Sequence, residues 1–285
     1  MRDNKHLISV IILTLNEEIH IERCLKNASL LSTNVFIVDS NSSDKTVALA
    51  KQYTNNIFQG NFDSFSSKLN WAIENLPITT PWTIRLDADE IFTDKFLEKV
   101  NSVIESQLPE VSGIYVRRQL WFLNRWMKHG DMYPTYSLRI WKSGSVSCEN
   151  RLLDEHMILK EGISINSELD IIDNPKTSIR IWIEKHNKYS ELEVLSQLNS
   201  KSNLAPEIKT KLISKKQEES KRFFKDRVYY KLPLFIRPFL YFFYRYFLKL
   251  GFLDGKEGFI WNVLHAFWYR FLIDVKIYES RKTLL

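Results

Sequence analysis

Leu7–Leu15 is an unbroken apolar, largely β-branched run, the pattern of a parallel strand covered on both faces. Asn16-Glu17-Glu18 ends it, and Glu18–Leu31 then carries Ile21, Cys24, Leu25 and Ala28 at helical spacing. Val35–Asp39 reads as a second strand, followed by the polar turn SNSSDKT and a helix through Val47, Leu49, Ala50 and Tyr53. A weaker strand at Asn56–Phe58 and a helix at Ser67–Asn75 lead to Trp82–Asp87, a strand that ends in acidic residues. Leu97–Ile104 reads as a helix and Gly113–Leu120 as a strand. The pattern then loosens into the aromatic-basic stretch WFLNRWMKHGDMYPTYSLRIW and a loop holding Glu149 and Asp154-Glu155-His156. Residues 178–225 read as helical and highly charged. Strand and helix in this alternation predict an α/β fold with a doubly wound, mostly parallel sheet.

Ligands of such sheets bind where the carboxyl ends of the strands open into loops. The residues at those points are Thr14-Leu15-Asn16-Glu17, Asp39 through Asp44, and Asp87-Ala88-Asp89-Glu90, all polar or acidic, and they are expected to converge on one edge. No glycine-rich dinucleotide or P-loop signature is present. The sharpest signal is Asp87-x-Asp89. Two carboxylates at i, i+2 across a turn can share one hard divalent cation, which neutralises a diphosphate. An isolated pair of this kind is more often a solvated acidic turn; here a parallel strand feeds it and Asp39 ends another. Asp39 either caps the following helix, as Ser42 and Ser43 also can, or accepts from the imide N–H of a pyrimidine base. Together the clusters read as a nucleotide-diphosphate site.

Composition divides the chain in two. Residues 1–174 carry a net charge of −5 and residues 175–285 a net charge of +11, within a 285-residue chain of net +6. Of 38 aromatic residues, 18 lie between Tyr229 and Tyr278. Residues 1–175 are therefore expected to form a catalytic domain and 176–285 a helical, basic and aromatic region. With 44% hydrophobic residues the chain can bury a sizeable core, and two cysteines exclude a disulfide framework. The nine-residue apolar run near the N-terminus lacks a small-residue cleavage site, so it is read as a strand and the protein as not secreted.

In the tail, Tyr229–Leu253 holds four cations and no acidic residue, and Pro233 and Pro238 break or kink any helix. Gly258–Tyr278 is long enough to cross a bilayer, but His265, Arg270 and Asp274 make a span costly unless Arg270 and Asp274, at i, i+4, neutralise each other. Attachment at the headgroup level is the expectation, with a span or packing against the catalytic domain as the alternatives. Basic residues in Lys201–Arg227 add attraction to anionic lipid. Helical spacing puts Trp182, His186 and Tyr189 on one face.

The segments SVIILTLNEE, VDSNSSDKT, Lys68-x-Asn70 and RLDADE, in that order, resemble the family 2 glycosyltransferases of the GT-A fold, and more narrowly bacterial lipopolysaccharide-core and surface-polysaccharide enzymes with an L-D-A-D-E box. The block FLDGKEGF…FWYRFLIDVKIYE is similar to the tail of a subgroup making surface polysaccharides. The resemblance implies an inverting, metal-dependent transfer from a nucleotide-diphosphate sugar, with uridine the implied base. Thr14, Asn16 and Glu17 would line the nucleotide site, Asp39 would read the base, Asp44 would share its loop, and Lys68 would reach the nucleotide or its phosphates. Asp87 would approach the ribose and metal, and Asp89 would ligate Mg²⁺ or Mn²⁺. Glu155, or Asp154, would act as the base; related enzymes carry His-Glu where this chain has Asp-Glu. His129, Arg139 and Arg125 are expected on the acceptor side, among aromatic faces suited to sugar rings. A Q-x-x-R-W box is absent, as Gln119 and Arg125-Trp126 are wrongly spaced, so one sugar per encounter is implied. The expected acceptor is a lipid-linked saccharide at the cytoplasmic membrane face, and no nucleic-acid partner is expected, because the tail aromatics cluster with aliphatics instead of interleaving with cations. The competing readings are a membrane scaffold with a degenerate transferase domain and a basic nucleic-acid binder.

Overall fold

The computed structural model describes residues 7–150, 155–199 and 227–283. Among these, residues 7–121, 135–150 and 155–176 form one compact unit, and residues 122–134, 177–199 and 227–283 form a second.

The first unit is built on β1 (Ile8–Thr14), β2 (Asn34–Asp39), β3 (Ile57–Gln59), β4 (Trp82–Asp87), β5 (Glu90–Phe92) and β6 (Val111–Phe122). After a two-residue strand β7 (Arg125–Trp126) in the second unit come β8 (Thr135–Lys142), β9 (Val146–Cys148), β10 (Met157–Leu159) and β11 (Ile163–Asp173). The main sheet runs β3-β2-β1-β4-β8-β6-β11-β5. Its joints are parallel from β3 through β4 and between β6 and β11, and antiparallel at β4–β8, β8–β6 and β11–β5. The sheet is thus mixed and mostly parallel, as the strand–helix alternation implies.

Every residue of β1 is buried. Successive side chains of a strand point to opposite faces, and both faces are covered. Ile8, Val10 and Ile12 enter a core with Ile21, Cys24, Leu25 and Ala28 of α1 (Ile21–Leu31) and Phe96, Val100 and Ile104 of α4 (Asp94–Glu105). Ile11 and Leu13 meet Leu69 and Ala72 of α3 (Phe65–Asn75) on the other face. Between them, α2 spans Thr46–Ala50. Ser64 and Ser67 form a reciprocal cap that starts α3, and Thr93 caps α4 through Phe96 N–H. The register aligns Thr14 with Asp39 and Leu13 with Asp87, so the carboxyl ends of β1, β2 and β4 finish at one level.

The four strands β8 to β11 lie where the sequence pattern shows a loose stretch or nothing. β8 inserts antiparallel between β4 and β6, β11 lies between β6 and β5, and β9 pairs with β10 in a separate hairpin. In β8 the obstacle is Arg139, which reads as a surface residue but is 2% exposed because it is neutralised inside the fold.

Cys24 and Cys148 are both buried; burial pushes the Cys24 thiol well above its ordinary range and the Cys148 thiol to about 11. Native protein at pH 7.5 is therefore expected to react slowly with a disulfide reagent such as DTNB at both positions, and denatured protein to release two thiols at once. Rapid native labelling would contradict the packing of α1 and β9.

In the second unit, α5 (Ile179–Asn199) carries Val194 against Tyr269, Ile273 and Ile277 of the helix Tyr269–Thr283. Trp182 stacks on His186 with ring centroids 3.5 Å apart, and Tyr189 lies edge-on to His186 at 6.0 Å, the shared face that the spacing predicts. Burial lowers the His186 imidazole to about 4, so it is neutral at pH 7. The remainder of 178–225 read as helical lies outside the described residues. Pro238 sits in the first turn of the helix Arg237–Phe243, where its missing N–H has no intrahelical acceptor, so it starts the helix instead of kinking it.

The expected mutual neutralisation of Arg270 and Asp274 is not what the fold uses. Asp274 is fully buried and accepts from Arg237 Nε at 2.7 Å and from Phe235 N at 2.8 Å; Arg270 donates to Glu193 at 2.8 Å. Each charge has a partner on another element, so the pairs tie helices together as well as cancelling charge. Among the described residues, no helix is long and apolar enough to cross a membrane.

Candidate active site

The loops after β1 and β2 are stitched to each other by side chains that accept backbone N–H groups. Asn16 N–H donates to Ser42 Oγ at 2.8 Å, Glu17 N–H to Thr46 Oγ1 at 2.7 Å and Glu18 N–H to Asp44 Oδ2 at 3.1 Å. In return Ser43 N–H donates to Asn16 Oδ1 at 2.9 Å and Lys45 N–H to Glu18 Oε2 at 3.1 Å. Asn16 and Asn41 both adopt φ of 56°, a left-handed conformation that asparagine tolerates. Asp44 is the staple of this loop pair. Burial pushes its carboxyl up, but the donors Thr46 and Glu18 together outweigh that and hold it below the usual range.

Asp39 sits beneath these loops and is fully buried. Its oxygens accept from Thr14 Oγ1 at 2.8 Å, Ser42 N–H at 2.8 Å and Gln59 Nε2 at 3.2 Å. Glu17 accepts from Nδ1–H of His20 at 2.7 Å; the tautomer follows because Nε2 of that ring accepts the N–H of Lys176 at 3.0 Å.

Lys68 and Asn70, two positions apart on α3 and so on different sides of it, divide two tasks. Lys68 is 7% exposed and donates to Thr14 O at 3.0 Å; burial lowers its ammonium, against the opposing charges of Asp39, Glu17 and Asp87. Asn70 clasps the backbone of Cys148 in both directions, at 2.9 and 2.7 Å, and so fixes β9 against α3.

The end of β4 carries the densest charge. Arg139 donates to Asp87 at 2.9 Å and to Glu90 at 2.6 Å, while Arg85 approaches Asp87 at 3.4 Å from the other side. Burial alone would raise the Asp87 carboxyl, but the Arg139 and Arg85 charges overcome it and hold Asp87 well below the usual carboxylate range. Glu90 is 1% exposed; burial, with Asp87, Asp173 and Asp89 nearby, outweighs Arg139 and pushes its carboxyl up to about 8. Asp87 N–H donates to Glu90 Oε2 at 2.9 Å, closing the turn. The backbone carbonyl of Asp89 accepts from Arg23 at 2.7 Å and from Asn174 N–H at 3.2 Å, so the residue following the pair's spacer is pinned through its main chain.

Arg139, expected on the acceptor side, is thus the buried counter-charge of the D-A-D-E cluster. Glu90 and Arg85 were not among the expected site residues, although both belong to the RLDADE segment; Arg85 shares a strand face with Asp87 at i, i+2. Glu155 lies between β9 and β10, near enough to Cys148 for its charge to oppose ionisation of the thiol. Asp154 lies outside the described residues. His129 and Arg125 belong to the second unit.

No cluster of three or more metal-ligating side chains occurs among the described residues. The donor set nevertheless suits a hard cation. Asp87 is held ionised, Asp89 lies two residues on, and Mg²⁺ in particular is commonly held by one or two carboxylates plus substrate phosphates and water, without an all-protein cage.

Residues 9–158 match the family model described as glycosyl transferase family 2. The lipopolysaccharide core biosynthesis glycosyltransferase LpsC of Rhizobium meliloti is 25% identical over 278 residues, covering 95% of this chain and 92% of LpsC. An uncharacterized glycosyltransferase of Rickettsia conorii is 22% identical over 275 residues, covering 96% of this chain and 90% of that protein. Among solved structures, glucosyl-3-phosphoglycerate synthase from Mycobacterium tuberculosis, in complex with Mg²⁺ and uridine diphosphate, is 17% identical with a TM-score of 0.34. That match covers 40% of this chain and 44% of the synthase, so the chain spans less than half of its length.

Proposed function

The chain belongs to glycosyl transferase family 2 and is an enzyme of that family, with a mixed, mostly parallel sheet of GT-A type, and on that premise we propose that it moves a sugar from a nucleotide-diphosphate donor, uridine diphosphate first among them, to a lipid-linked saccharide. The reaction inverts the anomeric carbon and adds one sugar per encounter. Its place is the biosynthesis of lipopolysaccharide or another surface polysaccharide, at the cytoplasmic face of the membrane, with the second unit bearing peripherally on that surface. The similarity to LpsC over nearly the whole chain supports the acceptor class.

The observation that carries the reading is the common level of Thr14, Asp39 and Asp87 at the ends of three parallel strands, with Lys68 reaching in from α3. Thr14, Asn16, Glu17 and Asp39 hold the nucleoside end, Asp44 shapes their loop, and Lys68 lies toward the phosphates. Asp87 and Asp89 would hold Mg²⁺ or Mn²⁺, which when bound neutralises charge on the departing diphosphate. Arg139 and Arg85 keep Asp87 ionised and aimed. Glu155, or Asp154, takes the proton of the acceptor hydroxyl as its oxygen bonds to the anomeric carbon and the bond to the diphosphate breaks.

Calorimetric titration of UDP, GDP and TDP, each with and without Mn²⁺, tests the site. Metal-dependent binding of one of them is the expected result; no binding of any would overturn the reading in favour of a non-catalytic scaffold. Glu155→Gln is expected to keep donor binding and lower transfer by about 10²–10⁴-fold, the usual worth of a positioned general base. Substantial remaining transfer would shift the role to Asp154.

A further inference from the structure

The tail motif Phe252–Gly258 takes no part in donor chemistry, yet its turn is built around residues distant in sequence. Asp254 is 4% exposed. One of its oxygens accepts the backbone N–H of His129 at 2.9 Å, and the other accepts Nδ1–H of the same residue at 2.7 Å. The imidazole is thereby held in one orientation with its side chain 38% exposed, and Nε2 is left for another partner. Gly255 has φ of 71°, and a Cβ on it would lie 2.8 Å from Arg125 Nη1, so the guanidinium rests directly on the turn. Glu257 steadies it at 3.4 Å. A Cβ on Gly258 would lie 2.7 Å from Gly251 O, so this glycine is also required for the turn to close.

An apolar groove of about 460 Å³ opens from the same turn, lined by Tyr246, Phe252, Gly255, Lys256, Phe259 and Ile260. That volume is in the range of small-molecule sites. Phe252 and Phe259 are 43% and 48% exposed, a cost in water that a ligand chain would remove. The Arg125 guanidinium, the His129 imidazole and the Lys256 ammonium therefore gather at a turn from which a hydrocarbon-lined groove extends.

We infer that this turn and groove bind a single-chain lipid phosphate or diphosphate, with Arg125, His129 and Lys256 on the phosphate and the chain along Tyr246, Phe252 and Phe259. Asp254 is a positioning residue that acts through His129. The inference deepens the proposed function and rests on its lipid-linked acceptor, since it assigns the carrier's phosphate and chain to named residues.

The test is calorimetric binding of farnesyl phosphate to the full chain, with farnesol, inorganic phosphate and phosphatidylglycerol vesicles as comparisons. Saturable binding at least about tenfold tighter than farnesol or phosphate is expected, since each lacks one half of the interaction. Equal binding of farnesol or of phosphate overturns the inference, as does displacement by vesicles at equal lipid phosphate, which would mark a bilayer-headgroup surface. Lys256→Gln and Phe259→Ala, both at exposed positions, should each weaken binding about tenfold; unchanged affinity in both overturns the site. Asp254→Asn should weaken it similarly, and the loss should vanish in a His129→Gln background, whereas additive losses would make Asp254 merely structural. UDP titration of the same samples separates the failures: retained UDP binding without farnesyl phosphate binding defeats this inference alone, and absent UDP binding defeats the transfer reading.

Discussion

Arg139→Met is expected to destabilise the protein by about 3 kcal/mol at pH 7, near the lower end of the cost of breaking a buried ion pair by removing one partner. The substitution nearly preserves volume, so the loss comes from charge. It leaves Glu90 at 1% exposure and Asp87 without their shared guanidinium, and the partial exposure of Asp87 keeps the figure at the lower end. Urea unfolding followed by circular dichroism gives the value directly. A second change, Glu90→Gln, should recover little at pH 7, because the Glu90 carboxyl, pushed up to about 8, is already largely protonated there and the loss falls on Asp87. A loss under ~1 kcal/mol would mean that the cluster rearranges or admits water.

The pH dependence has a definite sign. The folded-state pKa of Asp87 is depressed, so its stabilisation is present above the ordinary carboxylate range and is lost as pH falls below it. Glu90 is raised to about 8, so its contribution is complete below the ordinary range and is lost as pH rises toward 8. Removing Arg139 lifts the Asp87 carboxyl from its depressed value and pushes Glu90 up further. The difference between wild type and Arg139→Met should therefore shrink between pH 7 and pH 4, as the variant's Asp87 takes up a proton.

Asp89→Ala is expected to abolish the metal-dependent part of donor binding, by about 100-fold or more, since even outer-shell partners of a metal cost 10–100-fold. The fold should remain intact, because the backbone carbonyl at 89, which Arg23 and the Asn174 N–H hold, is unchanged. UDP titration with and without Mn²⁺ measures the effect, and an unchanged thermal midpoint is the control. Binding as in the wild type would remove Asp89 from the metal site and leave Asp87, already neutralised by two arginines, as an implausible sole ligand.

Much of this architecture was legible in local pattern. Leu7–Leu15 reads as a doubly covered strand because its apolar run is continuous, and the fold buries every residue of β1. Strand-end acids mark the sheet edge because a parallel sheet must place those ends together. The Lys68-x-Asn70 spacing marks a motif, but not that one residue faces the loops while the other clasps Cys148.

Arg139, Arg237 and Asp274 defeat a local reading for a single reason. A charge is surface-like in any window of sequence, and it becomes buried only when a partner remote in sequence neutralises it. Arg139 finds Asp87 and Glu90 about fifty residues away, and Asp274 finds Arg237 on another helix in place of its i, i+4 neighbour Arg270. Asp254 likewise finds the backbone and ring N–H groups of His129, 125 positions away.

Sequence alone determined the main strands and helices up to β6, where the acidic edge lies, and which family's motifs the chain carries, because periodicity, strand-end chemistry and motif order are local properties. Tertiary structure alone decided the antiparallel insertion of β8, the pairing of each buried charge and the orientation of His129, because those depend on distances between residues that only folding brings together.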